Sequence, residues 1–260
     1  MTATPTNTPA PTLCVGDCDG KGQVTVDEIL TMVNIALGNT PISACEAGDA
    51  NHDGQITVDE ILTAVNNALE GCPSTPTYSV SGTISYYTSG VPVPGAVVEL
   101  QGTTTLVTQT DAKGQFVFEA VPPGAWRIQP SKMGDFRGSI DVRDGGEMLQ
   151  AADGVLTLTP EQRLACDVTG DGVVDQADVS SLLDYTVGNL TRFPAADRCA
   201  SDWIFVPAPD AAPHQSVTPP LVTAEGCQPG SIEFAPLSGG ATGQDFQAVL
   251  IGDCNLSWPN

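Results

Sequence analysis

Three stretches of this chain carry oxygen-bearing side chains at a spacing suited to a hard cation. In the segment 49–60, Asp49, Asn51 and Asp53 occupy positions one, three and five of a loop. Gly54 at position six permits a sharp turn, and Gln55 at seven offers its backbone carbonyl. Thr57 stands at nine, where a hydroxyl or a bridging water is usual, and Glu60 at twelve can bind through both oxygens. Ca²⁺ takes six to eight oxygen ligands in flexible geometry, and this pattern supplies them. Asp17, Asp19, Gln23 and Glu28 repeat the register earlier in the chain. Asp167, Thr169, Asp171, the carbonyl of Val173 and Asp178 repeat it later. Self-similarity of this kind marks a repeated supersecondary unit rather than chance turns. One position departs from the pattern. Lys21 fills position five of the first loop, and an ammonium group cannot ligate a cation, so that site is expected to be weaker or more hydrated.

No other chemistry stands out. His52 lies inside a loop and His214 in a Pro/Ala stretch, and both read as surface residues. Nucleophile motifs, phosphate-cradling glycine loops and zinc signatures are missing from the sequence. Catalysis is therefore not expected.

The chain has 260 residues, enough for two or three small domains. A formal charge of −22 with nine basic residues argues against nucleic acid or an anionic membrane as partner. Bound cations would offset many of the acids. Cys14, Cys18, Cys45 and Cys72 form one group, and Cys166, Cys199, Cys227 and Cys254 another. Even counts without C-x-x-C pairs or nearby histidines point to disulfides and an oxidising compartment, with the connectivity open in each half. No apolar run of membrane-spanning length and no signal peptide are apparent. An extracellular or cell-surface protein is expected, in mature or trimmed form.

The elements that must position the loops come next. After the first loop, Ile29, Leu30, Val33, Ala36 and Leu37 recur at helical spacing, and Ile61, Leu62, Val65, Ala68 and Leu69 do so after the second. Gly38 and Gly71 are natural stops. The first loop follows a Thr/Pro-rich linker at 1–13, and the second follows Pro41-Ile42-Ser43-Ala44-Cys45, so neither has an entering helix. A loop and exiting helix, present twice in residues 14–73, resembles a dockerin module, an EF-hand-like calcium-binding repeat. Lys21 is a departure from that family's pattern.

Residues 77–130 alternate apolar and polar side chains between Gly and Pro punctuation, which predicts short strands and a β-sandwich. The order Val80-x-Gly82, Val93-Pro94-Gly95-Ala96-x-Val98, Thr110-Asp111-x-x-Gly114-x-Phe116-x-Phe118 and Pro122-x-Gly124-x-Trp126 is similar to the carboxypeptidase regulatory-like (transthyretin-like) domain. The resemblance implies a spacer or adhesion role without catalytic residues. Residues 131–191 look like a second dockerin-like module. Its first loop, from Met133 to Asp144, lacks an acid at position one and carries Arg137 at five, so its metal binding is expected to be compromised or absent. Its second loop, from Asp167, is intact. Residues 192–260 form a disulfide-bearing tail with strand-like pieces that could complete the sandwich. Within it, Gly252-Asp253-Cys254-Asn255-Leu256-Ser257 begins like another loop but places Trp258 where Gly is needed.

The expected architecture is a multidomain α+β chain, with two small dockerin-like loop–helix modules around a central all-β sandwich and a partly irregular tail. The expected function is that of a non-catalytic, secreted calcium-binding structural protein that self-assembles into a filament or surface layer, or adheres to another extracellular protein. The alternative implied by the resemblance is a dockerin that binds a cohesin partner in a polysaccharide-degrading complex.

Overall fold

Each intact loop runs into a helix because the residues that would hold the cation also start the helix. Helix α1 (Val26–Ala36) is capped by Thr25, and Glu28 completes the capping box by accepting from the Thr25 amide at 2.8 Å. Helix α2 (Val58–Glu70) begins in the same way, with Glu60 accepting from the Thr57 amide at 2.8 Å. The box satisfies amides that a helix N-terminus leaves orphaned. Short 3₁₀ turns at Ile42–Ala44 and Glu46–Gly48 lead into the second loop. Met32 and Ala64, one from each helix, are fully buried with Val15, Val24, Cys45 and Ile56. Disulfides Cys14–Cys72 and Cys18–Cys45 close this small core, which suits a unit too small to be held by apolar burial alone.

The structure is a computed structural model that describes residues 14–74 and 76–259. The expected linker at 1–13 lies outside the described residues. The chain divides into two units, Met1–Pro76 and Thr77–Asn260. It is mixed α+β, with six α-helices and three sheets among the described residues.

The second unit opens with β1 (Tyr78–Tyr86), β2 (Val97–Gln101), β3 (Thr105–Gln109), β4 (Gln115–Val121) and β5 (Gly124–Ser131). Four helices follow: α3 (Val142–Ala152), α4 (Pro160–Cys166), α5 (Gln176–Thr186) and α6 (Pro194–Cys199). The remaining strands are β6 (Trp203–Pro207), β7 (Gln215–Thr218), β8 (Leu221–Thr223), β9 (Gly226–Gln228), β10 (Ser231–Leu237) and β11 (Phe246–Leu250). One sheet has the order β4-β1-β11-β6 and the other β3-β2-β5-β10-β7, while β8 and β9 form a small ribbon. Strands β11 and β10 are therefore internal to the two large sheets, with β6 and β7 at their edges. Strand β11 runs parallel to β1, pairing Ile84 with Phe246, and β10 runs antiparallel to β5, pairing Ile232 with Ile128.

The two large sheets share one core. Ile84, Phe116, Phe246 and Phe205 come from one sheet, and Leu100, Trp126, Ile128 and Phe234 from the other. The alternation of buried and partly exposed residues along β1 and β5 follows from the period of two in a strand. Gly82 is required by close approach, since a Cβ there would overlap the carbonyl oxygen of Gln244. Segments read from the sequence as 77–130, 131–191 and 192–260 thus lie within one unit, with the helices inserted between β5 and β6. Met148 of α3 and Leu182 of α5 are buried in a second cluster with Ile204, Val249 and Ile251. Disulfides Cys166–Cys254 and Cys199–Cys227 tie this region to the late segment.

A fragment spanning 77–147 lacks β10 and β11, so two of its strands would lose their neighbours and expose their apolar faces. It is expected to be unfolded by circular dichroism and by amide proton dispersion, whereas 77–259 folds. A cooperative melt of the short fragment would contradict this.

Candidate metal centres

The three continuous loops share one hydrogen-bond frame, built from backbone amides and two carboxylates. In the second loop, Asp49 accepts from the Asp53 amide at 3.1 Å through Oδ1 and from the Gly54 amide at 2.8 Å through Oδ2. Glu60 accepts from the Ala50 amide at 2.9 Å and from the Thr57 amide at 2.8 Å. In the first loop, Asp17 accepts from Lys21 at 3.0 Å and from Gly22 at 2.7 Å, and Glu28 accepts from Cys18 at 2.9 Å and from Asp19 at 3.2 Å. In the third, Asp167 accepts from Asp171 at 3.1 Å and from Gly172 at 2.8 Å. Asp178 closes that loop by accepting from the amides of Thr169 and Asp175, each at 2.9 Å. Positions one and twelve thus wind the loop. Position four is left-handed every time, at Gly20, His52 and Gly170, and the position-six glycines have φ of 78°, 84° and 91°. A side chain is disfavoured there, which accounts for glycine at six.

The donor set tests the fit to a cation. In the second loop, Asp49, Asn51, Asp53, the Gln55 carbonyl and Glu60 offer only oxygen, the donor type that Ca²⁺ prefers. The third loop offers Asp167, Thr169, Asp171, the Val173 carbonyl and Asp178, with Asp175 at position nine. Both sets fit. In the first loop, carboxylate oxygens of Asp17, Asp19 and Glu28 lie within 4.8 Å of one another. There the Lys21 ammonium sits 2.7 Å from Asp19 Oδ2 and competes with any ion. The sets of the first two loops also include Gln23 and Gln55 at position seven, both with exposed side chains, as expected where only the backbone carbonyl would act.

Electrostatics separates the loops. The hydrogen bond from Lys21 holds the Asp19 carboxyl below its ordinary value. Burial pushes Glu28 and Glu60 up, but hydrogen bonds led by those from Thr25 and Thr57 outweigh it and leave both lowered. In the third loop burial prevails, and Asp167 and Asp178 are raised despite their backbone donors. Asp178 is fully buried. Ionised carboxylates in such surroundings are costly without a positive partner.

Two features of the third loop escaped the sequence reading. Helix α4 enters it directly, ending at Asp167, so this loop is flanked by helices on both sides. The capping signature Thr159-Pro160-Glu161-Gln162 marks that helix in the sequence, and Thr159 does accept from the Gln162 amide at 3.2 Å. Arg198 of α6 donates to the carbonyls of Thr169 and Gly170. No local pattern could have found that contact.

The Met133–Asp144 segment does not form a continuous loop of this type. Asp135 pairs with Lys132 at 3.1 Å and with Arg137 at 2.8 Å, and the Trp203 and Trp258 indoles donate to the carbonyls of Gly134 and Asp135. Its first half is thereby bound to the sandwich.

Residues 79–147 match the family model of the carboxypeptidase regulatory-like domain. The match covers β1 through β5 and reaches into α3, and it supports the reading of these strands as part of a sandwich. No curated protein matches the chain.

Asp49→Ala removes both the acceptor for two loop amides and a ligand. It is expected to lower calcium stoichiometry by one in isothermal titration and to increase amide exchange in α2. Unchanged stoichiometry would count against the assignment. Lys21→Asp replaces a repelling charge with a ligand and should tighten the first loop by on the order of tenfold, because affinity follows ligand charge. Equal or weaker binding in the same titration would refute the inhibitory role of Lys21.

Proposed function

We propose that this chain is a non-catalytic extracellular structural or assembly protein whose dockerin-like loop–helix modules are stabilised by Ca²⁺. The observation that carries this reading is the shared frame of the three loops, in which carboxylates at positions one and twelve gather backbone amides and only the first loop carries a lysine of its own on a ligand carboxylate. Bound Ca²⁺ would supply the missing positive charge, and metal binding would be coupled to folding. The carboxylates at loop positions one and twelve already serve as acceptors for backbone amides, which suits a structural role better than proton transfer. Four disulfides formed from all eight cysteines fit an oxidising compartment. No helix among the described residues is long and apolar enough to cross a membrane. In this reading the sandwich, similar over 79–147 to the carboxypeptidase regulatory-like domain, is a spacer, and the modules are the contacts through which copies of the chain associate.

A specific observation favours a second reading, in which the first module docks a cohesin-like partner. Val26, Leu30 and Leu37 are 70%, 53% and 69% exposed, and Val58, Leu62 and Leu69, at the same register in the second repeat, are 71%, 56% and 79% exposed. Two matched apolar sets on α1 and α2, each extending to the residues at the helix end, suit a partner that grips either repeat.

Light scattering and negative-stain imaging in millimolar Ca²⁺, repeated after chelation, separate the two. Large assemblies that dissolve on chelation are expected. A monomer at high concentration in Ca²⁺ would overturn the assembly reading and favour docking.

A further inference from the structure

The residues that leave the Met133–Asp144 segment incomplete as a loop are replaced from far along the chain. Asp144, at position twelve of that segment, is fully buried, and its Oδ2 accepts from the Asp141 amide at 2.7 Å. This is the bond that Glu60 makes to Thr57. Its Oδ1 accepts not from a preceding residue but from the amide of Asn255 at 2.9 Å. Asp253, also fully buried, accepts from the Ser257 amide at 2.9 Å through Oδ1 and from the Trp258 amide at 3.0 Å through Oδ2. These four bonds reproduce the frame of the continuous loops, with Asp253, Asn255, Ser257 and Trp258 at positions one, three, five and six. Position four agrees as well. Leu256 has φ of 60°, beside 71°, 57° and 69° at Gly20, His52 and Gly170.

The disulfides carry the same correspondence. Cys18, at position two of the first loop, is bonded to Cys45, just upstream of the loop that starts at Asp49. Cys254, at position two of the split arrangement, is bonded to Cys166, just upstream of the loop that starts at Asp167. Helices α3 and α5 also pack on each other, as α1 and α2 do. Trp258 keeps a negative φ at position six. Glycine is not needed there, because the rest of the loop comes from another segment and the chain does not have to turn into it.

Two further features point to a ligand. Asn255 Oδ1 is the buried side-chain oxygen or nitrogen without a hydrogen-bond partner among the described residues, although such atoms are nearly always paired. It stands at position three, where Asn51 stands in the second loop. In addition, neither Asp144 nor Asp253 forms an ion pair with any Lys, Arg or His among the described residues. Their donors are neutral, the amides already named and the Tyr86 hydroxyl at 2.6 Å from Asp253 Oδ2, and buried carboxylates held by neutral donors alone are costly. The hydroxyl of Ser257 lies 3.2 Å from the backbone carbonyl of Ser139, the position-seven oxygen of the Met133–Asp144 register. Asp141 at position nine is held by Arg143 at 2.6 Å, which leaves that position to a water.

We propose that segments 139–144 and 253–257 together form a Ca²⁺ site, a loop split across the chain, with Asp253, Asn255 Oδ1, Ser257 Oγ, the Ser139 carbonyl and Asp144 as protein ligands. The site lies outside the three continuous loops and shares with the preceding functional reading only the choice of ion. An ion here fastens the segment after β11 to the start of α3, and so locks the late strands into the sandwich.

The test is calcium titration of the full chain by calorimetry, with melting curves in Ca²⁺ and in chelator. Asn255→Ala removes an oxygen that bonds to nothing in the metal-free protein. It should therefore melt like the parent in chelator, bind one Ca²⁺ fewer, and lose part of the Ca²⁺-dependent gain in melting temperature. Asn255→Asp, which adds a carboxylate ligand, should retain the full stoichiometry and bind more tightly. Equal stoichiometry and affinity in Asn255→Ala and the parent would overturn the site. So would an equal loss of melting temperature with and without Ca²⁺. A loss of one Ca²⁺ in Asp49→Ala but none in Asn255→Ala overturns the split site alone, and no uptake by any form overturns both readings.

Discussion

A carboxylate that gathers backbone amides is the contact around which the helical parts of this protein are organised. At position one it receives amides of the turn that follows, and at position twelve it receives amides from the front of the loop and from the helix start. The same oxygens therefore define the loop and cap the helix, and in the proposed reading they would also hold the metal. Glu60 and Asp178 are buried while doing so, so their charge rests on those amides rather than on water. In the proposed reading a bound cation would add to those amides, and so link local turn chemistry to the stability of the modules. The first loop has a partial internal substitute in Lys21, which pairs with Asp19.

The sandwich depends on a different constraint, the completion of sheets by distant strands. Strands β1 through β5 come from one continuous stretch, yet β1 has β11 as its neighbour and β5 has β10. The intervening helices must therefore fold back without displacing the late segment. The Cys166–Cys254 disulfide and the bond from Asn255 to Asp144 both act where that return is made. The residues that hold the helices after β5 and those that close the sandwich are thus partly the same, within the single unit Thr77–Asn260.

Much of this was legible in the sequence, and the limits follow from range. Everything within a loop is local: Asp49, Asn51, Asp53, Gly54 and Glu60 lie within twelve consecutive residues, so position alone states which atoms can meet. The helices after the loops and the strands at 78–131 were equally readable, since apolar periodicity records which face will be buried. The amino-acid sequence by itself therefore determined the loop register, the helix starts, the early strands and the even grouping of cysteines. Only the tertiary structure decided which cysteines pair, how the late strands enter both sheets, and that Asp253 and Asn255 complete the frame of Asp144. The bond from Asn255 to Asp144 joins residues 111 positions apart, the cysteine pairs bridge 27 to 88 positions, and spacing along the chain carries no information about either. The order of strands in a sheet and the burial of two opposed acids are settled by which surfaces exclude water together, and that is a property of the folded chain as a whole.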